Sequence, residues 1–75
     1  MKQSLARAIR SHYTAQRDEA AATLDVYFGR PAGIGEHPQI VEEMTKQVEK
    51  YSSACDSLDR FKEYIEKSEV IKEKV

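Results

Sequence analysis

With 75 residues, 12 basic and 13 acidic, and a net charge of −1, the chain makes at most one small domain and has no overall field to recruit nucleic acid or an anionic membrane. No apolar run approaches the roughly 20 residues that span a bilayer, and no N-terminal apolar core with a cleavage site marks a signal peptide. The single cysteine, Cys55, cannot close an internal disulfide and fits a reducing compartment. The expected setting is a soluble, intracellular protein.

The first arm, about residues 4–28, holds no Gly or Pro and is rich in alanine, which favours helix. Leu5, Ile9, Tyr13, Ala20, Leu24 and Tyr27 fall on one helical face. A second line, Ala8, Ala15 and Ala22 followed by Val26, runs to one side of it. Small residues at seven-residue spacing either let another helix approach closely or are simply helix filler. A third line is basic: Arg7, Arg10 and Arg17, with Tyr13 nearby. Such a stripe could hold nucleic-acid phosphates while the tyrosine stacks. The competing reading pairs it with the second half of the chain. Residues 36–75 hold ten acids against seven bases, a net of −3, whereas residues 1–35 hold five bases against three acids, a net of +2. Complementary arms favour pairing. His12, mid-helix, reads as a partly buried packing residue rather than a ligand.

All three glycines and both prolines fall in the stretch Gly29-Arg30-Pro31-Ala32-Gly33-Ile34-Gly35-Glu36-His37-Pro38. Residues 29–37 therefore form the connecting loop. Gly29 suits a left-handed helix terminus, and Pro31 forbids continuation. Pro38 suits a first helical position, with His37 as N-cap and Glu42 and Glu43 near the positive end of the helix dipole. Ile34 would fold back over the end of the arms. Gly33 and Gly35 could form a phosphate-binding nest, but no Lys-Ser/Thr follows them and no strand precedes them. Arg30, Gly33, Gly35, Glu36 and His37 remain a candidate loop interaction site, first of all a structural turn.

The second arm, about residues 38–73, again lacks Gly and Pro. Val41, Met44, Val48, Tyr51, Cys55 and Leu58 step by three and four, a heptad seam. Lys62 interrupts it, and the stripe shifts to Phe61, Ile65, Ser68 and Ile71, which predicts a rotated C-terminal face. The second arm is longer than the first, which predicts an overhang containing Tyr64, Ile65, Val70, Ile71 and Val75. Cys55 in the seam reads as a small hydrophobe. His12 and His37 are too far apart to share a metal within one chain, and the acids form no helical magnesium cluster, so no cofactor and no enzyme activity are expected.

Leu24-Asp25-Val26-Tyr27-Phe28 followed by Gly33-Ile34-Gly35-Glu36-His37-Pro38-Gln39-Ile40-Val41-Glu42-Glu43-Met44 resembles a family of short helical proteins from contractile-tailed bacteriophages of marine bacteria, including cyanophages. The likeness covers roughly residues 5–60 and is carried mainly by the Gly-Ile-Gly-Glu-His-Pro string. The family has no established activity. The resemblance implies a fold, a phage origin, a place in the cytoplasm of an infected host cell or in the virion, and a phage or host protein as a possible partner. A turn alone does not call for Glu36 beside His37.

The fold expected is all-α: an antiparallel two-helix hairpin that associates into a homodimer or higher oligomer as a helical bundle. Its helix–helix interface is expected to use Leu5, Ile9, Tyr13, Leu24, Tyr27, Val41, Met44, Val48, Tyr51, Cys55, Leu58 and Ile65. The function expected is non-enzymatic interaction or assembly. The alternatives are a small nucleic-acid-binding regulator using Arg7, Arg10 and Arg17, and a ligand or metal site built from Glu36 and His37 of two chains.

Overall fold

A computed structural model describes residues 2–29 and 39–68, which form two long α-helices and no strand. Helix α1 spans Lys2–Gly29 and α2 spans Ile40–Lys67, each of 28 residues, or about 42 Å at 1.5 Å per residue. They pack on each other as an antiparallel hairpin. Two contacts set the register. The Tyr27 hydroxyl donates to Glu43 Oε2 at 3.1 Å, and Lys50 Nζ pairs with Glu19 Oε1. Carried to the start of α1, that register brings Lys2 level with the last turn of α2.

That register places Tyr64 and Ile65, expected in an overhang, alongside the start of α1. Helix α1 begins two residues earlier than the sequence suggests, and α2 begins later and stops sooner. Ser68 is extended, with φ −88° and ψ 114°, and its N–H caps Ile65 O at 3.2 Å. The helix therefore ends at Lys67 rather than near residue 73. Ile65 is half-buried beside α1 and Tyr64 is exposed, while Val70, Ile71 and Val75 lie outside the described residues.

The N-terminal boundary of α2 also differs. Gln39 is the N-cap residue, with φ −81° and ψ −1° and no side-chain cap bond, and its carbonyl accepts from Glu43 N at 2.9 Å. The expected roles of His37 and Pro38 fall outside the described residues. Glu42 and Glu43 do occupy the first turn, where the helix dipole favours them. Gly29 is still helical, and no described glycine has a positive φ.

The seam between the helices is built on small residues. Among the described residues the buried side chains are Ala6, Ala20, Ile40 and Ala54, and no large one is fully buried. Ala6, Tyr13, Ala20 and Tyr27 recur every seven residues on α1, and Ile40, Gln47, Ala54 and Phe61 do so on α2. Seven-residue spacing returns to nearly the same helix face, so both lines run along the contact. Alanine there lets the two backbones approach closely. The larger apolar residues then flank the seam instead of filling it. Phe61, Ile65 and Ser68 are half-buried and continue the same line. The C-terminal part of α2 thus faces α1 like the rest, and the expected rotation does not occur.

Candidate interaction surface

The sequence seam Val41, Met44, Val48, Tyr51, Cys55 and Leu58 is a continuous stripe, turned to one flank of the hairpin. Val41 is 68% exposed and Val48 is 52% exposed, and Tyr51 is also exposed. Met44, Cys55 and Leu58 are half-buried. The physical reason is that Ile40, Gln47 and Ala54, one residue before Val41, Val48 and Cys55, take the contact with α1. On α1, Tyr13, Leu24 and Tyr27 are half-buried, while Leu5 and Ile9 are exposed. Leu5 and Ile9 are displaced because the Ala6-centred line faces α2. The Ala8, Ala15 and Ala22 line is exposed.

Near the loop end, Leu24 and Phe28 of α1 and Val41, Met44 and Val48 of α2 line an apolar groove of about 390 Å³. Phe28 is 69% exposed. Towards the open end of the same flank lies a second cleft, of about 440 Å³. Its floor is Leu58 and Ile65. Arg10 and Arg17 rim it from α1, and Asp59 and Glu66 rim it from α2, together with Lys62. One flank of the hairpin thus carries an apolar zone and a mixed-charge zone in series.

The basic line is assembled in space but shares its ground with acids. Arg7 and Arg10 line a shallow cleft with Thr14 and Asp18. Arg17 Nε bonds Asp18 Oδ1 at 3.1 Å. Arg7 and Arg10 form no ion pair among the described residues. Three arginines interleaved with Asp18, Asp59 and Glu66 present alternating sign, whereas a phosphate track needs a continuous basic one.

The opposite flank holds the hairpin's own polar clasps. Glu19 accepts from Lys50, and this hydrogen bond, then the Lys50 charge, holds its carboxyl below the ordinary value. The Tyr27 phenol, donating to Glu43, is held above its ordinary value by that bond and then by the carboxylate charge. His12 is exposed rather than partly buried. It meets Tyr13 edge to face with ring centroids 5.0 Å apart, and its Nε2 lies 3.2 Å from Gln16 Nε2.

Gln47 is a seam residue that sequence reasoning missed. Its Oε1 is buried without a hydrogen-bond partner. The signal was its place in the Ile40–Gln47–Ala54 repeat, hidden because only large apolar side chains were used to find the seam. Ala6 and Ala54 were missed for the same reason, whereas Ala20, which the sequence places on the packed face of the first arm, is buried there; Ile40 was passed over in favour of its neighbour Val41.

Among the described residues, no group of three or more His, Cys, Asp or Glu is placed to hold a metal ion, and no helix is long and apolar enough to cross a membrane. The candidate loop site of Arg30, Gly33, Gly35, Glu36 and His37 lies outside the described residues. The fold and surface therefore define a class: an all-α, two-helix hairpin with an apolar flank that no other described residue covers. Comparison with protein-family models, with curated proteins and with solved structures finds no match.

Proposed function

We propose that the protein is a non-enzymatic assembly module: a helical hairpin that self-associates through its apolar flank into a helical bundle. The observation that carries this reading is the mismatch between core and surface. Among the described residues the buried core comprises three alanines and one isoleucine, while Phe28, Val41, Val48 and Tyr51 on that flank, and Leu5, Ile9, Val26 and Tyr64 elsewhere, are exposed. Burying an apolar side chain fully contributes about 1.5–3 kcal/mol for residues of the Val/Leu/Ile/Phe class. The isolated hairpin forgoes a substantial part of that gain at these positions. Small folds without disulfides or metals commonly recover it by oligomerisation.

The resemblance of the Gly-Ile-Gly-Glu-His-Pro segment to short phage proteins supports assigning this module to a phage, acting in the infected host cell or the virion, with a phage or host protein as a further partner. Nucleic-acid binding by Arg7, Arg10 and Arg17 is the weaker reading, because Asp18, Asp59 and Glu66 break the basic track.

Folding coupled to association makes stability depend on chain concentration. The denaturation midpoint should therefore rise measurably between micromolar and hundred-micromolar protein. A midpoint that does not move would refute self-association as the source of stability.

A further inference from the structure

We infer that the flank bearing Leu24, Phe28, Val41 and Val48 is covered by a second copy of this chain, related by a two-fold axis running along the hairpin. The inference rests on the self-association reading and specifies its geometry. Such an axis keeps every residue at its own height and brings α1 of one copy against α2 of the other. Both loop ends then lie at the same end of a four-helix bundle in which every neighbouring helix pair is antiparallel.

The sequence of zones along the flank argues for this arrangement. At the loop end, the α1 side of the apolar groove is Leu24 and Phe28 and the α2 side is Val41, Met44 and Val48. Swapping helices at constant height sets Leu24 and Phe28 of each copy on the valines of the other. At the open end, the α1 side carries Arg10 and Arg17 and the α2 side carries Asp59 and Glu66, with Lys62 between them. The same operation sets those arginines against the partner's acids. Apolar meets apolar, and the two arginines meet two acids, with Lys62 the one like charge on that side. An isologous interface requires this kind of self-complementarity.

The alternative two-fold axis, across the hairpin, fails both matches. It lays α1 on α1 and α2 on α2, end over end. The apolar groove of each copy would then cover the charged zone of the other, burying arginines and carboxylates against valine and phenylalanine without partners. The opposite flank is a poorer candidate. Its exposed apolar residues are Leu5, Ile9 and Val26 of α1, separated by His12 and by Glu19, which is already engaged with Lys50, and Tyr64 of α2.

Gly29 provides the test. It lies at the loop end of α1, its backbone has no positive φ, and a Cβ added there meets nothing within 4 Å. A Gly29→Cys, Cys55→Ser protein carries one spin label per chain at that end without strain. Pulsed dipolar spectroscopy on the dimer should give a distance below roughly 30 Å, since the bundle is only two helix diameters of about 10 Å across and the label arms add the rest. A distance near the helix length of about 42 Å would overturn the two-fold assignment while leaving self-association intact. In parallel, Val48→Glu should reduce the dimer to monomer, whereas Lys46→Glu, a charge change at a polar position of α2, should leave the mass unchanged. A dimer that survives both Val48→Glu and Val41→Glu would place the interface elsewhere, and a wild-type monomer would refute this inference together with the reading beneath it.

Discussion

Ala20→Leu is the substitution that most sharply probes the seam. Ala20 is fully buried, at 0% exposure, in the line Ala6, Tyr13, Ala20 and Tyr27 that faces α2. Leucine adds three carbon atoms where the two helices are held close by alanine on both sides, Ala54 being buried on the other helix at 1%. Overpacking of this kind costs about 1–3 kcal/mol. For a chain of this size each kcal/mol moves the melting temperature by roughly 4–8 °C, so a fall on the order of 4–24 °C follows from the two ranges together. Ala22→Leu is the matched control. It has the same chemistry two positions on, but Ala22 is exposed, and surface changes usually stay within about 0.5 kcal/mol. Thermal melts followed by circular dichroism at one fixed chain concentration would read both. If Ala22→Leu were the damaging change and Ala20→Leu were tolerated, α1 would have to be turned so that its Ala8–Ala15–Ala22 line faces α2, and the seam described above would be wrong.

Gln47→Leu should raise the melting temperature, because it removes a buried oxygen without a hydrogen-bond partner, a defect that costs about 1–3 kcal/mol; a lowered midpoint would mean that Gln47 makes a bond that stabilises the fold. The Glu19–Lys50 clasp gives a pH signature. The Glu19 carboxyl is held below its ordinary value by Lys50, so its stabilising contribution is present above the usual carboxylate range and is lost as pH falls through the lowered value. Subtracting the melting profile of Glu19→Gln from that of the wild type should show a difference at neutral pH that vanishes in acid, and a difference independent of pH would dismiss the clasp. For Tyr27 the sign is reversed: its phenol is held above its ordinary value by Glu43, so the contribution is present below that value and is lost as the solution becomes strongly alkaline, and Tyr27→Phe should abolish this alkaline loss.

The architecture was legible because the breakers are segregated. Every Gly and Pro sits between residues 29 and 38, so two uninterrupted helices were the natural reading. Their relative rotation was not legible. Val41, Val48 and Cys55 form as regular a heptad line as Ile40, Gln47 and Ala54, and apolar size favours the first. Close approach favours the second, because alanines at positions 6, 20 and 54 allow backbone contact that valines would prevent. A one-residue ambiguity of this kind turns a helix by about 100°, which moves a stripe from the seam to the flank. The helix ends were obscured by a related limit. Ser68 stops α2 by taking an extended backbone, and the lysine- and glutamate-rich segment around it reads as helix on propensity alone. The basic line of Arg7, Arg10 and Arg17 was visible in sequence, but the acids that face it, Asp59 and Glu66, come from the other helix and needed the fold to be seen.

The central claim is that two hairpins complete one another's core. The mass in solution, measured by light scattering after size exclusion at low and high concentration, tests it most directly. The account predicts twice the 8.6 kDa chain mass at high concentration. A stable, well-folded species at the mass of one chain across the whole range would contradict it.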